Sequence, residues 1–175
     1  MPVIFPPPRT LPGGGRPTDP APTPVTEPLY FDDLDVGMQW TSARRTLTEA
    51  DIASFAGLSG DYNPLHTDEV FAAGTGYGGR IAHGALVLSI ATGLRQQMGL
   101  FNGTLRGLLE VRSWRFLAPV RAGDTLEAVT TITELRPTSK PDRGVVVQGV
   151  EVNNHKGETV QAGELVTLVQ IRDGG

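Results

Sequence analysis

The sequence is organised around residues 84–98, which read GALVLSIATGLRQQM. Apolar residues occupy nearly every face of this stretch, and no charged residue appears before Arg95. A helix that is apolar on all sides is a buried helix, and at about 1.5 Å per residue this one would span roughly 20 Å, the width of a small core. We therefore predict a central helix that begins at Gly84 and ends near Met98.

The chain after this helix has the composition of a β-sheet. Segments rich in Thr, Val and Leu are separated by short turns, and the turn at 153–157, NNHKG, has strong hairpin chemistry. Strands joined by short turns pair antiparallel. The predicted fold class is therefore α+β, with an antiparallel sheet curled around one long central helix. The predicted strands cover residues 105–117, 125–135, 145–152 and 159–171.

One strand and one short helix are predicted ahead of the central helix. Residues 39–47 form the strand, with Trp40 as a large apolar anchor. Thr48 followed three residues later by Asp51 has the form of a capping box, and apolar residues follow it at helical spacing. We therefore expect a helix over residues 49–57.

Proline divides the chain into a tail and a single domain. Ten of the fourteen prolines lie in residues 1–28, which also contain a run of three glycines. Such a segment has little apolar surface to bury and cannot form a helix or a central strand. We predict a flexible tail over 1–28 and one domain over 29–175.

Charge and composition exclude several classes of function. The formal net charge is −4, without the basic surface of a nucleic-acid-binding protein. The absence of cysteine excludes disulfides, thiolate metal sites and cysteine nucleophiles. No signal peptide or membrane-spanning run is visible in the sequence. We expect a cytoplasmic protein that binds neither nucleic acid nor membrane.

Residues 60–66, GDYNPLH, place a carboxylate and an imidazole five positions apart. On an α-helix Asp61 and His66 would lie about 140° apart, but Pro64 disfavours a helix and pushes Asn63 toward extended or turn geometry. A tight turn can direct both side chains into one space, where they could share a water and move protons. The alternative, in which Asp61 only bonds local backbone in an Asx-turn, stays open.

Gly84 adds a second chemical group to this site. At the first turn of a helix its N–H has no intrahelical partner, and the helix dipole adds positive potential there. Such an amide suits a developing oxyanion, although close helix packing would also explain a glycine. For the neighbouring His83 we favour a structural role. For Ser89 we expect a hydrogen bond back to the helix backbone rather than a role as nucleophile.

These residues resemble a known family. Residues 55–66, FAGLSGDYNPLH, followed by IAHG at 81–84, are similar to the MaoC-like dehydratases, which are (R)-specific enoyl-CoA hydratases of the hot-dog fold. Residues 116–126, FLAPVRAGDTL, resemble the strand-turn-strand of the same family. The resemblance covers about residues 30–172.

The resemblance implies roles for individual residues. Asp61 and His66 would hold and activate the water that adds across the double bond of a trans-2-enoyl thioester. The Gly84 amide would stabilise the enolate-like thioester oxygen. Asn63 would buttress the turn. The implied substrate-binding residues are Asn63, Phe71, Tyr77 and His83.

The resemblance also implies partners. The substrate would be a thioester of coenzyme A or of acyl-carrier protein, with no separate cofactor and no metal. The chain would form a homodimer whose sheets join edge to edge, with further assembly left open. Acyl chain length and branching stay open, and dicarboxylic acyl groups are among the alternatives. Two rival functions also stay open: a hot-dog thioesterase, and a non-catalytic subunit for binding or assembly.

Overall fold

The computed structural model describes residues 27–172. The predicted tail therefore lies almost entirely outside the described residues. The first described element is a 3₁₀ turn at Phe31–Asp33. The helices are α1 (Glu49–Ser59), α2 (Pro64–Thr67), α3 (Glu69–Ala73) and α4 (Gly84–Gln97), and the strands are β1 (Gln39–Thr41), β2 (Arg45–Thr46), β3 (Leu105–Phe116), β4 (Thr125–Pro137), β5 (Arg143–Asn154) and β6 (Thr159–Gln170).

A six-stranded antiparallel sheet forms one layer of the fold. Its strand order is β1-β4-β5-β6-β3, and β2 also pairs with β4. Short turns join β4 to β5 and β5 to β6, and the second of these is the predicted hairpin, with Gly157 in the left-handed region at φ 78°. The predicted α+β architecture is confirmed.

The helix α4 packs across the concave face of this sheet. Its buried residues, among them Leu86, Ile90 and Leu94, contact Leu126 of β4 and Val152 of β5 in one core cluster. Residues that are opposite each other on neighbouring strands share a face. The paired residues of β4, β5 and β6 therefore continue this inner face along the whole length of α4.

One face of α4 is exposed, contrary to the prediction of a helix buried all round. Ala85, Ser89, Gly93 and Gln96 follow one another at helical spacing along this face. The sequence prediction misses this stripe because none of its four residues is charged, so the absence of charge before Arg95 does not show that every face of the helix is covered.

Two local predictions also change in the structure. The strand predicted over 39–47 is broken into β1 and β2, because residues 42–44 leave the ladder. His66 lies in the one-turn helix α2 rather than in a simple turn. Pro64 is the first residue of that helix, a position where proline is tolerated because its missing N–H would have no partner.

None of the helices between residues 27 and 172 combines the length and hydropathy that crossing a bilayer requires.

Candidate active site

The loop between α1 and α2 fixes Asp61 through its own backbone. Gly60 ends α1 in the left-handed conformation, with φ 75°. The Asn63 N–H donates to Asp61 Oδ1 at 3.2 Å, and Asn63 Oδ1 accepts the Leu65 N–H at 3.0 Å. The Asx-turn that the sequence left open is therefore present, and Asn63 buttresses the turn as predicted. Asp61 itself is exposed.

A backbone carbonyl fixes the ring of His66. His66 Nδ1 lies 2.8 Å from the carbonyl oxygen of Ile81. A carbonyl can only accept, so this hydrogen bond places the proton of the neutral ring on Nδ1 and leaves the lone pair on Nε2. His66 thereby presents an acceptor nitrogen on its other side, as a general base requires.

His83 lies beneath these two residues. It is 2% exposed, its Nε2 lies 2.9 Å from the backbone oxygen of Asp61, and its ring stacks on His66 with centroids 3.8 Å apart. Its Nδ1 is buried and has no hydrogen-bond partner in the described part of the chain. These contacts agree with the structural role predicted for His83. Contact with substrate stays a prediction, with almost no exposed surface on His83 to support it.

The three side chains converge in space. A carboxylate oxygen of Asp61 and one ring nitrogen each of His66 and His83 lie within 4.8 Å of one another. Such a set could also hold a cation, but the ring nitrogens His66 Nδ1 and His83 Nε2 already bond backbone oxygens. The predicted absence of a metal stays a prediction.

Gly84 lies at the start of α4, directly after His83. Its carbonyl oxygen accepts a hydrogen bond from Gln161 Nε2 at 3.0 Å, and Gln161 in turn accepts one from Trp114 Nε1 at 2.9 Å. A Cβ at Gly84 would lie 2.6 Å from the ring of Phe116. Gly84 is thus at a helix start with an aromatic ring packed against it, and its role as an oxyanion donor stays a prediction.

The two predicted wall residues are exposed near the same loop. Phe71 lies on α3, and Tyr77 lies in the glycine-rich loop that follows it. The Tyr77 carbonyl accepts a hydrogen bond from Arg121. The Glu69 carboxylate accepts hydrogen bonds from the Arg80 N–H and guanidinium, which lower the pKa of Glu69. The loop is thus held at both ends, while its contact with an acyl chain stays a prediction.

Four further residues of the site were not predicted from the sequence. No local spacing reveals them, because each comes from a distant strand or acts through its backbone. Ser89, by contrast, behaves as predicted, since its hydroxyl donates to the Ala85 carbonyl at 2.9 Å. The unpredicted residues are Ile81, Trp114, Phe116 and Gln161.

Comparison with known proteins assigns the family. The family model of the MaoC like domain matches residues 35–154, which is more than half of the chain. The chain belongs to the MaoC-like family. It is 33% identical to an (R)-specific enoyl-CoA hydratase from Aeromonas caviae over 79% of this chain and 97% of that protein. It is 40% identical to an (R)-specific enoyl-CoA hydratase from Rhodospirillum rubrum over 63% of this chain and 74% of that protein.

Longer relatives share only part of their length with this MaoC-like chain. Protein MaoC of Klebsiella aerogenes is 39% identical over 65% of this chain, which covers 33% of that protein. Three other matched proteins have names that describe hydratases or a dehydratase. The coarse activity of the family is therefore hydration or dehydration.

Solved structures agree on the fold. A monoamine oxidase regulatory protein from Archaeoglobus superposes with a TM-score of 0.79 and 38% identity, over 83% of this chain and 97% of that one. A Mycobacterium tuberculosis protein described as a double hot-dog fold superposes with a TM-score of 0.74 at 25% identity, over 85% of this chain and 46% of that one. The domain therefore has the predicted hot-dog fold.

Proposed function

We propose that this protein adds water to the double bond of an enoyl thioester, or removes it from the (R)-3-hydroxyacyl product. The observation that supports this proposal is the convergence of Asp61 and His66, whose side-chain ligand atoms lie within 4.8 Å, beside the first amide of α4. The names of relatives at 33% and 40% identity give the same reaction.

Asp61 and His66 share the attacking water in this proposal. His66 Nε2 has the free lone pair, and Asp61 retains a carboxylate oxygen that the Asn63 N–H does not occupy. One O–H bond of the water breaks, its oxygen bonds to C3 of the acyl chain, and its proton passes to the pair. The same proton then goes to C2, so the pair returns to its starting state.

The Gly84 amide receives the negative charge that develops on the thioester oxygen. It stands at the first position of a 14-residue helix, where backbone N–H groups have no intrahelical partner. The positive end of the helix dipole adds to the hydrogen bond. Phe71 and Tyr77 would border the acyl chain, and the thioester carrier would be coenzyme A or acyl-carrier protein. The reaction needs no metal and no separate cofactor.

Hydration of 2-butenoyl-CoA tests the proposal, because loss of the conjugated double bond lowers the absorbance of the enoyl thioester. Asp61→Asn and His66→Ala should each lower kcat by at least about 100-fold, the scale of general acid–base catalysis. Asp35→Asn and His155→Ala, which change exposed groups of the same type elsewhere, should retain the wild-type rate. Dialysis against a chelator should leave the rate unchanged.

Two results would contradict the proposal. One is wild-type activity in both Asp61→Asn and His66→Ala, with folding confirmed by thermal unfolding. The other is release of free thiol from acyl-CoA without hydration, which would indicate a thioesterase.

A further inference from the structure

The Ile81 carbonyl that orients His66 belongs to a short segment, residues 80–82, that is hydrogen-bonded on both sides. His66 Nδ1 lies 2.8 Å from this carbonyl oxygen. On the other side of the same peptide group, the Ala82 N–H donates to the Val120 carbonyl at 2.7 Å. The direction of the Ile81 carbonyl, and with it the position of the proton on His66, therefore depends on how this segment is held.

Arg121 holds the neighbouring peptide group of the segment. One terminal nitrogen of its guanidinium donates to the Arg80 carbonyl at 3.2 Å, and the other donates to the Tyr77 carbonyl. The N–H of the same Arg80–Ile81 peptide group donates to the Leu65 carbonyl at 3.1 Å. None of the ion pairs in the described part of the chain includes Arg121. Its guanidinium therefore binds the main chain of one loop rather than a carboxylate.

The loop that Arg121 bonds is rich in glycine. Residues 74–80 read GTGYGGR, and glycine leaves the backbone free to adopt many conformations. Gly79 has φ 148° and lies between two side chains, since a Cβ there would be 2.9 Å from Arg121 Nη1 and from Glu69 Oε1. The hydrogen bonds made by these two side chains therefore restrict a loop whose glycines would otherwise allow several conformations.

The turn that carries Arg121 is itself closed by two hydrogen bonds. The Arg121 N–H donates to Asp124 Oδ2 at 2.8 Å, and the Asp124 N–H donates to the Arg121 carbonyl at 3.1 Å. This turn lies in the motif at 116–126, to which the proposed reaction gives no role. The turn presents the Val120 carbonyl and the Arg121 side chain to the same three residues, 80–82.

We propose that Arg121 is a positioning residue for His66. By holding the Arg80 carbonyl, it fixes the segment whose next carbonyl, that of Ile81, faces His66 Nδ1. The proton then stays on Nδ1, and the lone pair of Nε2 stays directed at the water. This inference rests on the proposed hydratase function. In this role Arg121 acts through the main chain and does not contact the water, yet a displacement of His66 by about 1 Å would lower the rate by about 100-fold.

The tautomer of His66 tests this role without substrate. The chain contains three histidines, so nitrogen-15 NMR of histidine-labelled protein gives few ring signals, which histidine variants assign. At about pH 9, where imidazole groups are neutral, wild-type His66 should show a protonated Nδ1 and a bare Nε2. In Arg121→Met the two shifts should lose at least about a quarter of their separation, because the proton can then occupy either nitrogen.

The control for the NMR measurement is Arg136→Met, which changes an exposed arginine and should retain the wild-type spectrum. An unchanged His66 spectrum in Arg121→Met would overturn the proposal.

Kinetics separate positioning of His66 from a direct contact with substrate. With 2-butenoyl-CoA, Arg121→Met should lower kcat by about tenfold or more, while KM changes by less than about threefold. Arg121→Lys retains a donor for one carbonyl without the planar fork, so it should recover part of the lost kcat. Arg136→Met should retain both wild-type values. A raised KM with unchanged kcat in Arg121→Met would overturn the proposal, because Arg121 would then only bind substrate.

Thermal unfolding of each variant separates a folding defect from a positioning defect. If Arg121→Met does not fold, the same two measurements are made on Arg121→Lys, whose kcat should be about threefold or more below that of the wild type, since an ammonium does not reproduce the fork of a guanidinium. Wild-type kcat together with the wild-type His66 tautomer in Arg121→Lys would overturn the proposal.

The NMR measurement also separates this inference from the proposed reaction. A shifted His66 tautomer in Arg121→Met, with no hydration by the wild type, would reject the proposed hydratase and retain the control of the His66 ring by Arg121. Hydration by the wild type, with an unchanged His66 tautomer in Arg121→Met, would retain the hydratase and reject the inference.

Discussion

His83 holds the backbone of Asp61 in place, because its Nε2 donates a hydrogen bond to the Asp61 carbonyl oxygen. His83→Phe would retain a ring against His66 and remove this donor. Since misplacing a catalytic group by about 1 Å can lower a rate by about 100-fold, we expect kcat to fall by about tenfold or more with KM little changed. Steady-state kinetics of His83→Phe and His83→Gln check this.

His83→Gln is the matched variant, because its amide can still donate toward the Asp61 carbonyl. It should recover part of the lost kcat. Equal kcat in the wild type and in His83→Phe would show that the buried histidine only fills space.

Gly84 and Gly163 are both closely packed, but the nearest neighbour of Gly84 is a side chain and that of Gly163 includes backbone. A Cβ at Gly84 would meet the ring of Phe116 at 2.6 Å, but Phe116 is 62% exposed and can turn aside. A Cβ at Gly163 would meet the Trp114 backbone at 2.7 Å, which cannot. Gly163→Ala should lower the free energy of unfolding by about 1–3 kcal/mol, and Gly84→Ala by less than about 1 kcal/mol.

Urea unfolding of both variants measures this difference in stability. Hydration assays measure whether each variant retains activity. Gly84→Ala should lose activity while remaining folded, since its methyl group adjoins the amide that we propose as the oxyanion donor. Equal destabilisation of the two variants would show that Phe116 is as fixed as the backbone of β3.

The sequence brings out the residues proposed to react but not the contacts that support them. Asp61 and His66 belong to one short motif and Gly84 to a second one, and both motifs are visible in the sequence. The Ile81 carbonyl that orients His66 has no side-chain signal, and Gln161 reaches Gly84 across 77 positions. Such contacts depend on the register of β6 against α4, which composition does not specify.

At the scale of elements, the capping box that begins α1 is confirmed. The Asp51 N–H donates to Thr48 Oγ1 at 3.2 Å, and Asp51 Oδ2 accepts the Thr48 N–H at 2.8 Å. Burial works to raise the pKa of Asp51, but the hydrogen bonds from Thr48 and the charge of Arg45 outweigh it, and the net pKa lies below the usual 3.8.

A depressed pKa gives this cap a definite pH dependence. The charged form is favoured in the folded state, so its contribution is complete above the unfolded pKa and is lost as the pH falls through the folded one. Asp51→Asn should lower the free energy of unfolding by about 1 kcal/mol at pH 7, with a smaller difference at pH 3. Denaturant unfolding at both pH values checks this, with Asp35→Asn as control. An equal difference in the free energy of unfolding at the two pH values would exclude an effect of the Asp51 charge.

Long elements follow from the sequence better than short ones. The apolar run of α4 and the strand-rich second half predict the central helix and four strands to within about two residues, because long periodic segments specify their own structure. The break at 42–44 depends on tertiary contacts instead, whereas the one-turn helix α2 depends on a local cap. Pro64 is compatible with both a turn and a helix start, and the Asn63 cap decides between them.

At the scale of the whole molecule, two unpaired surfaces meet. β3 is 12 residues long and ends the sheet, so among the described strands only β6 pairs with it. Its exposed side chains include Leu108, Leu109 and Val111, and the uncovered stripe of α4 lies behind it. A long apolar edge strand invites pairing with another chain. A second copy of the same chain packed here would pair with the β3 edge and cover the exposed stripe of α4.

We therefore expect a homodimer in which the β3 edges of two copies meet. Replacing Leu109 and Val111 together by Glu would place like charges in that contact, so the dissociation constant of the dimer should increase at least about tenfold. Val36→Glu, which changes an equally exposed apolar residue away from the edge, is the matched control. Light scattering at several concentrations measures the mass.

Because Phe116 lies on β3 and packs on Gly84, the variant with glutamate at 109 and 111 should also lose activity. A monomeric wild type would contradict the expected dimer, and a dimer that tolerates both glutamates would place the contact on another surface.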